Sequence, residues 1–162
     1  MNETMNSIHY FQATEADIET MADTRIEFLV EFWGPQPHEH VTLLRQQLVN
    51  YFSHAIKDKL YVCWLAKIEN TIAGVGGMSI REQPGTFKNP SGKVGYIMSM
   101  YTVPAHRRKG ICTALLQRLM TTAKEMGISA FELHATKDGE PVYQKAGFRI
   151  HTEPTYRKYG FD

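Results

Sequence analysis

Apolar positions in the first third of the chain change from an alternating to a helical spacing. Residues 7–13, SIHYFQA, predict a first short strand, and Thr14 with Asp17 three positions later predicts an imperfect capping box. The helix that follows is predicted to end at WGPQP, because glycine and proline interrupt helical hydrogen bonding. A second helix, apolar on one side, is predicted over about residues 38–56.

The middle of the chain has the pattern of a β-hairpin. Residues 60–68, LYVCWLAKI, are rich in β-branched and aromatic side chains and predict a buried strand. Glu69 and Asn70 predict a tight turn, and residues 71–80, TIAGVGGMSI, predict the return strand. The glycines of that strand would allow a bulge or a close approach of another backbone.

A loop, a long strand and a helix are predicted next. Residues 81–92, REQPGTFKNPSG, predict a flexible loop, and residues 93–103, KVGYIMSMYTV, predict a strand that Pro104 ends. The apolar spacing then predicts a helix that begins near residues 108–110 and runs to Met126, with Gly127 as its C-cap.

The C-terminal part predicts another strand, a short helix and a final strand region. Residues 128–135, ISAFELHA, predict a buried strand, and GEPVYQKAGF predicts a short helix closed by Gly147. Residues 148–161 predict one or two last strands. The order of elements predicts one α/β or α+β domain over residues 1–162, built around a mixed sheet.

Composition narrows the class of protein. The 162 residues are 43% apolar and 22% charged, which is typical of a single globular domain. Lys and Arg number 18 against 17 Asp and Glu, which argues against a dedicated nucleic-acid binder. The chain starts without a signal-peptide pattern and has no run of about 18 apolar residues, so we expect a cytoplasmic protein without a membrane partner. Cys63 and Cys112 lack metal-ligand spacing, so no metal is expected.

A run of three cationic residues ends at a glycine, where an apolar helix is predicted to begin. The first amides of a helix lack internal partners and the helix dipole adds positive charge there, so Arg107, Arg108, Lys109 and Gly110 predict an anion site, most simply for phosphate. No Walker loop is present, and GVGG at residues 74–77 leads into a strand, which excludes a dinucleotide fingerprint. A nucleic-acid contact by HRRKG is the alternative, and steep salt dependence would reveal it.

The sequence Arg107-x-x-Gly110-x-Cys112 resembles the acyl-CoA pyrophosphate loop of the GNAT superfamily of N-acetyltransferases, whose consensus is Gln/Arg-x-x-Gly-x-Gly/Ala. The strand and proline before it, in MSMYTVPAHRRKGICTALL, are similar to those of the family, and PVYQKAGF matches its Tyr-x-x-x-Gly-Phe signature. The order of elements also matches over nearly the whole chain. Cys112 departs from the family pattern, which has glycine or alanine at that position.

The resemblance implies a mixed sheet of six to seven strands flanked by about four helices, with two splayed parallel strands forming the acyl-CoA cleft. It implies acetyl-CoA as co-substrate, no metal, and direct attack by a primary amine of a small molecule or peptide. A homodimer is possible in this family. The alternative within the same fold is a catalytically weak or inactive CoA-binding regulatory module.

The resemblance also assigns site residues. The Met100 amide would polarise the thioester carbonyl, and Tyr143 would protonate the departing thiolate. The implied cofactor contacts are Met100, Tyr101, Thr102, Arg107, Arg108, Lys109, Gly110, Ile111, Cys112, Thr113, Thr136 and Tyr143. A branch of the family carries a glutamate base four residues before the Met100 position, but this chain has Tyr96 there. The candidate general bases are therefore Glu27, Glu31 and His134.

Overall fold

Residues 7–160, the part of the chain that the computed structural model describes, form one five-stranded sheet with helices on both faces. Neighbouring strands follow chain order, antiparallel except for the parallel last pair. The strands are β1 Ile8–Gln12, β2 Tyr61–Ile68, β3 Thr71–Glu82, β4 Lys93–Thr102 and β5 Ala130–Leu133. The predicted α+β class with a mixed sheet is confirmed.

Four α-helices lie close to their predicted positions. Thr14 and Asp17 form the predicted capping box, with the Thr14 amide donating to Asp17 Oδ2 at 2.8 Å. Gly34 and Gly127 follow the first and third helices with φ values of 83° and 75°, which glycine adopts without a steric penalty. The helices are α1 Ile18–Trp33, α2 His38–Lys57, α3 Ile111–Glu125 and α4 Glu140–Lys145.

Helix α3 lies very close to β3, and glycine makes this possible. A Cβ on Gly74 would lie 2.8 Å from Ile111 Cγ2 and 3.1 Å from the Tyr101 carbonyl oxygen. Leu115, Leu116 and Leu119 of α3 are fully buried against this face of the sheet. The glycine-rich segment therefore lets side chains of α3 pack closely on β3, whereas the sequence had predicted a bulge or a backbone approach. The β3–β4 register also shifts between Val75 and Gly77.

The sheet opens between β4 and β5. Their parallel pairing ends at Ile97 and Leu133, so residues 98–102 of β4 have no partner on that side. Ser99 has a φ of 54°, a left-handed conformation that marks a bulge in β4. The Arg25 guanidinium of α1 donates to Ser99 Oγ at 2.8 Å and holds this bulge. The sequence did not indicate the bulge, because Ser99 lies in an unbroken strand pattern.

The prediction of six to seven strands was wrong for the described chain, which has five. Residues 149–160 contain no strand, although their pattern had predicted one or two. Ile150, Tyr156 and Tyr159 are 81%, 89% and 88% exposed, so no buried side chain fixes a strand register there. Pro154 also lacks the amide that a ladder needs. As a result, the outer edge of β5 is unpaired within residues 7–160.

Candidate active site

The loop before α3 forms a concave surface of backbone amides. Arg108 and Gly110 both have positive φ, 63° and 75°, so the chain turns twice before the helix begins. The Ala114 amide makes a helical bond to the Gly110 oxygen at 3.0 Å, so the amides of residues 111–113 lack helical acceptors. Apart from Gly110 and its chain neighbours, no atom lies within 4 Å of the position that a Cβ on Gly110 would occupy. The space beside Gly110 is therefore open to an anion.

A cavity of about 560 Å³ runs from this loop into the opening between β4 and β5. We call it the cleft cavity. Most of the predicted cofactor residues line it: Met100, Tyr101, Thr102, Arg107, Arg108, Gly110, Cys112, Thr113, Thr136 and Tyr143. Lys109 and Ile111 do not line it. Lys109 is exposed, and Ile111 is 1% exposed because its side chain packs into the core.

Backbone alternation directs two amides of β4 into this cleft. The Val103 amide donates to the Ala73 oxygen at 2.9 Å, on the β3 side of the strand. Because successive amides of a strand point to opposite sides, those of Met100 and Thr102 point toward the side from which β5 has splayed. They are available to an extended ligand in the cleft.

Arg107 is held by protein groups at the mouth of the cleft. Its Nη2 forms an ion pair with Glu31 Oε1 at 2.5 Å, and its Nε donates to the Thr102 oxygen at 3.0 Å. Arg107 therefore ties α1 to the end of β4. Glu31 lines the cleft cavity but is occupied by this ion pair.

Tyr143 lies buried at the inner end of the cleft. Burial raises the pKa of its hydroxyl, and the nearby Cys112 thiol raises it further. Burial also raises the pKa of the Cys112 thiol. Both side chains therefore keep their protons at neutral pH, and Tyr143 can act as a proton donor.

A second cavity, of about 630 Å³, lies between the open edge of β5 and residues 148–155. We call it the edge cavity. It is lined by His134, Glu132 and Tyr143 among others, and Tyr143 is the one residue that lines both cavities. The residue shared by the two linings is therefore the tyrosine that the sequence had singled out.

His134 is part of a polar cluster that the sequence did not predict. Its Nδ1 lies 2.5 Å from Tyr96 Oη, and its Nε2 lies 3.0 Å from Arg157 Nη2. The guanidinium carbon of Arg81 lies 3.7 Å from the centre of the Tyr96 ring. A guanidinium has only donors, so in this arrangement Nε2 accepts from Arg157, and Nδ1 carries the ring proton and donates to Tyr96.

The β4–β5 register explains why this cluster was missed. Tyr96 lies opposite Glu132 in the parallel pairing, two residues before His134, and only the folded sheet brings the two rings together. In the sequence, Tyr96 was notable only because a branch of the resembling family has glutamate at that position. Glu27, the third candidate base, is exposed and lines neither cavity.

Two further observations concern metals and membranes. Within the described residues, no group of three or more His, Cys, Asp or Glu side chains is arranged to hold a metal ion. None of the helices within residues 7–160 combines the length and apolar character that crossing a membrane requires.

Comparisons with known proteins identify the family and agree with the fold. Residues 19–148 match the model of the acetyltransferase (GNAT) family. A predicted acetyltransferase from Clostridium acetobutylicum, solved with acetyl-CoA, is 33% identical with a TM-score of 0.85, and the match covers 94% of this chain and 96% of that one. A GCN5-related N-acetyltransferase from Ralstonia eutropha JMP134 is 24% identical with a TM-score of 0.82, over 95% and 100% of the two chains.

One curated relative shares a shorter segment. N-alpha-acetyltransferase 60 of Drosophila melanogaster is 38% identical over 68 residues, which cover 38% of this chain and 25% of the relative. The match therefore spans only a quarter of that protein's length.

Proposed function

Because the chain belongs to the GNAT acetyltransferase family, we propose that it transfers an acetyl group from acetyl-CoA to a primary amine of an acceptor. The observation that carries this proposal is the cleft cavity, in which the amide loop, the free edge of β4 and the buried Tyr143 lie in one continuous space. These three features would contact, in that order, the pyrophosphate, the extended pantetheine arm and the thiol leaving group of acetyl-CoA.

The residues of the cleft fit the co-substrate. The amides of residues 111–113 and the open space at Gly110 would receive the pyrophosphate. The amides of Met100 and Thr102 would bond the pantetheine arm as if it were an added strand. The Met100 amide is the proposed donor to the thioester carbonyl oxygen, where negative charge develops during attack.

Tyr143 is the proposed general acid. Its raised pKa keeps the hydroxyl protonated across neutral pH, so it can give a proton to the departing thiolate. Its place between the two cavities supports this role, because the leaving sulfur must lie where co-substrate and acceptor meet.

The Tyr96–His134 pair is the proposed proton acceptor for the attacking amine. Glu31 is held in its ion pair with Arg107, and Glu27 lines neither cavity, so His134 is the best placed of the three candidates. Tyr96 precedes Met100 by four residues, roughly 13 Å along an extended strand. The proton would therefore travel through ordered water, with Tyr96 and His134 as its final acceptors.

The amino group of a protein N-terminus is one candidate acceptor. The name of the Drosophila relative motivates it, and the identical segment is short. A catalytically inactive CoA-binding module is the rival function, and turnover with any amine would exclude it.

The first test is calorimetric titration of acetyl-CoA into the native protein and two alanine variants. Gly110→Ala would place a Cβ where the pyrophosphate approaches, and we expect a Kd at least about tenfold higher. Gly127→Ala is the matched control, because Gly127 has the same φ of 75° and equally open surroundings at the other end of α3. Both variants carry the same backbone strain, about 1–2 kcal/mol, and only one lies in the site.

An amine panel with detection of released thiol then tests transfer itself. Equal losses of affinity in both glycine variants would assign the effect to helix strain rather than to the anion site. Tight acetyl-CoA binding without thiol release from any amine would contradict the proposed enzyme and favour the binding module.

A further inference from the structure

Resting on the proposed function, we infer that the acceptor amine carries an anionic oxygen group, a carboxylate or a phosphate, and that Arg81 and Arg157 bind it beside the Tyr96–His134 pair. The inference deepens the proposed activity by naming a substrate class. It rests on the position, partners and charge of three arginines on the α1–α2 face of the sheet.

Two of these arginines flank the proposed proton acceptors. Arg81, near the end of β3, stacks on the Tyr96 ring at 3.7 Å, and Arg157, in the C-terminal segment, donates to His134 Nε2 at 3.0 Å. Both cations are exposed and contact neutral rings, so their remaining N–H donors are available to a ligand.

Arg25 extends the positive surface toward α1. Its guanidinium donates to Ser99 Oγ at the bulge of β4. Burial raises the pKa of Tyr51 on α2, and the nearby Arg81 and Arg25 oppose that rise, so both cations lie close to one side chain. Arg25 and Arg81 therefore face the same space between α1, α2 and the sheet.

Within residues 7–160, none of the three guanidiniums forms an ion pair with a carboxylate. The ion pairs of this part of the chain involve Arg45, Lys93 and Arg107. Glu132 lies opposite Tyr96 in the strand register and lines the edge cavity together with Glu140 and Glu153, but no ion pair of residues 7–160 joins a carboxylate to these three arginines. Guanidiniums that form no ion pair within the described residues favour anions over polycationic acceptors, and their N–H forks match carboxylate and phosphate oxygens.

The contact between Arg157 and His134 links recognition to chemistry. While Arg157 donates to Nε2, the ring proton lies on Nδ1, and His134 cannot take a proton from Tyr96. An anionic group on the acceptor competes for Arg157 and draws it away from the ring. His134 can then adopt the tautomer that accepts through Nδ1, so binding of the correct acceptor prepares the proton acceptor.

The test compares acceptors that share an amine and differ in the anion. An α-amino acid is compared with its amide, and phosphoethanolamine with ethanolamine, and a short peptide amide represents protein N-termini. We expect kcat/KM, measured by release of the CoA thiol, to be at least about tenfold higher for the anionic member of a pair. The pair in which kcat/KM is higher for the anionic amine identifies carboxylate or phosphate as the recognised group.

Three variants test which residues cause the preference for anionic acceptors. Arg81→Met and Arg157→Met keep the length of the side chain and remove its charge, and we expect each to reduce the ratio toward one. Arg157→Met should also retain or increase the rate with neutral amines, because it frees His134. Lys124→Met on the exposed side of α3 removes the same charge from another face of the molecule and should leave the ratio unchanged.

Calorimetric titration of the amino acids in the presence of CoA gives a readout that does not need turnover. If anionic amines bind to the native protein but not to the arginine variants, the proposed acceptor site is supported even when no acetyl transfer is found. In that case only the proposed enzymatic activity is contradicted. Equal or better use of neutral, peptide or cationic amines by the native protein would overturn the inference. An anion preference that survives both arginine substitutions would also overturn it.

Discussion

Tyr143 is the residue that lines both the cleft cavity and the edge cavity. It belongs to α4, is 8% exposed, and lies close to the Cys112 thiol at the start of α3. Cysteine is small enough to stand where the family consensus has glycine or alanine, and burial raises the pKa of its thiol. Burial is also the larger cause of the raised pKa of Tyr143, and the Cys112 side chain adds to it.

Replacing Tyr143 by phenylalanine should lower kcat roughly 10²-fold, because the thiolate would leave without a proton donor. The Kd for acetyl-CoA should change little, since the pyrophosphate and pantetheine contacts come from backbone amides. Stopped-flow or steady-state thiol release gives kcat, and calorimetry gives Kd. A parallel loss of affinity would instead assign Tyr143 a packing role beneath α4.

At the scale of elements, the sequence predicted what local patterns determine. The apolar spacing gave α1, α2 and α3 nearly to their ends, and Thr14, Gly34 and Gly127 marked termini through local backbone geometry. The glycine turn before α3, where the anion site is proposed, was also predictable, because its residues are consecutive. The arginines of the acceptor face were not, since they come from α1, β3 and the C-terminal segment and meet only in the folded sheet.

The failed prediction of C-terminal strands has the same origin. A strand is stabilised by its partner and by a buried face, and residues 149–160 have neither in the described chain. Likewise the bulge at Ser99 depends on Arg25, 74 positions earlier in the sequence, which no local pattern reveals.

The contact between α3 and β3 offers a test at this scale. Gly74→Ala should lower the free energy of unfolding by about 1–3 kcal/mol, because its Cβ would lie within 2.8 Å of Ile111 Cγ2. Urea unfolding measures the change. In an Ile111→Ala background the same substitution should cost less, because the clashing methyl group is gone. Equal costs in both backgrounds would show that strand conformation, not helix packing, requires this glycine.

At the scale of the whole molecule, buried groups without charge dominate the core. Burial strongly raises the pKa of Cys63, Tyr61 and Tyr143 above their ordinary values of 9.0 for the thiol and 10.0 for the phenols. The folded protein therefore holds these protons at alkaline pH while the unfolded chain loses them.

Stability should fall as pH rises above about 9, because the unfolded chain then binds fewer protons than the folded one. The expected slope is up to about 1.4 kcal/mol per pH unit for each such group. Thermal or urea unfolding between pH 7 and pH 11 measures it. Cys63→Ala and Tyr61→Phe should each flatten the slope, and slopes unchanged in both variants would contradict this account.

The cleft cavity and the edge cavity share Tyr143 alone in their linings, which bears on the kinetics expected under the proposed function. With acetyl-CoA in the cleft cavity and the acceptor reaching His134 from the edge cavity, neither substrate must leave for the other to bind. Initial-rate plots should therefore intersect, as for a ternary complex, rather than run parallel. CoA should inhibit competitively against acetyl-CoA and noncompetitively against the amine. Parallel lines would instead require an acetylated protein intermediate.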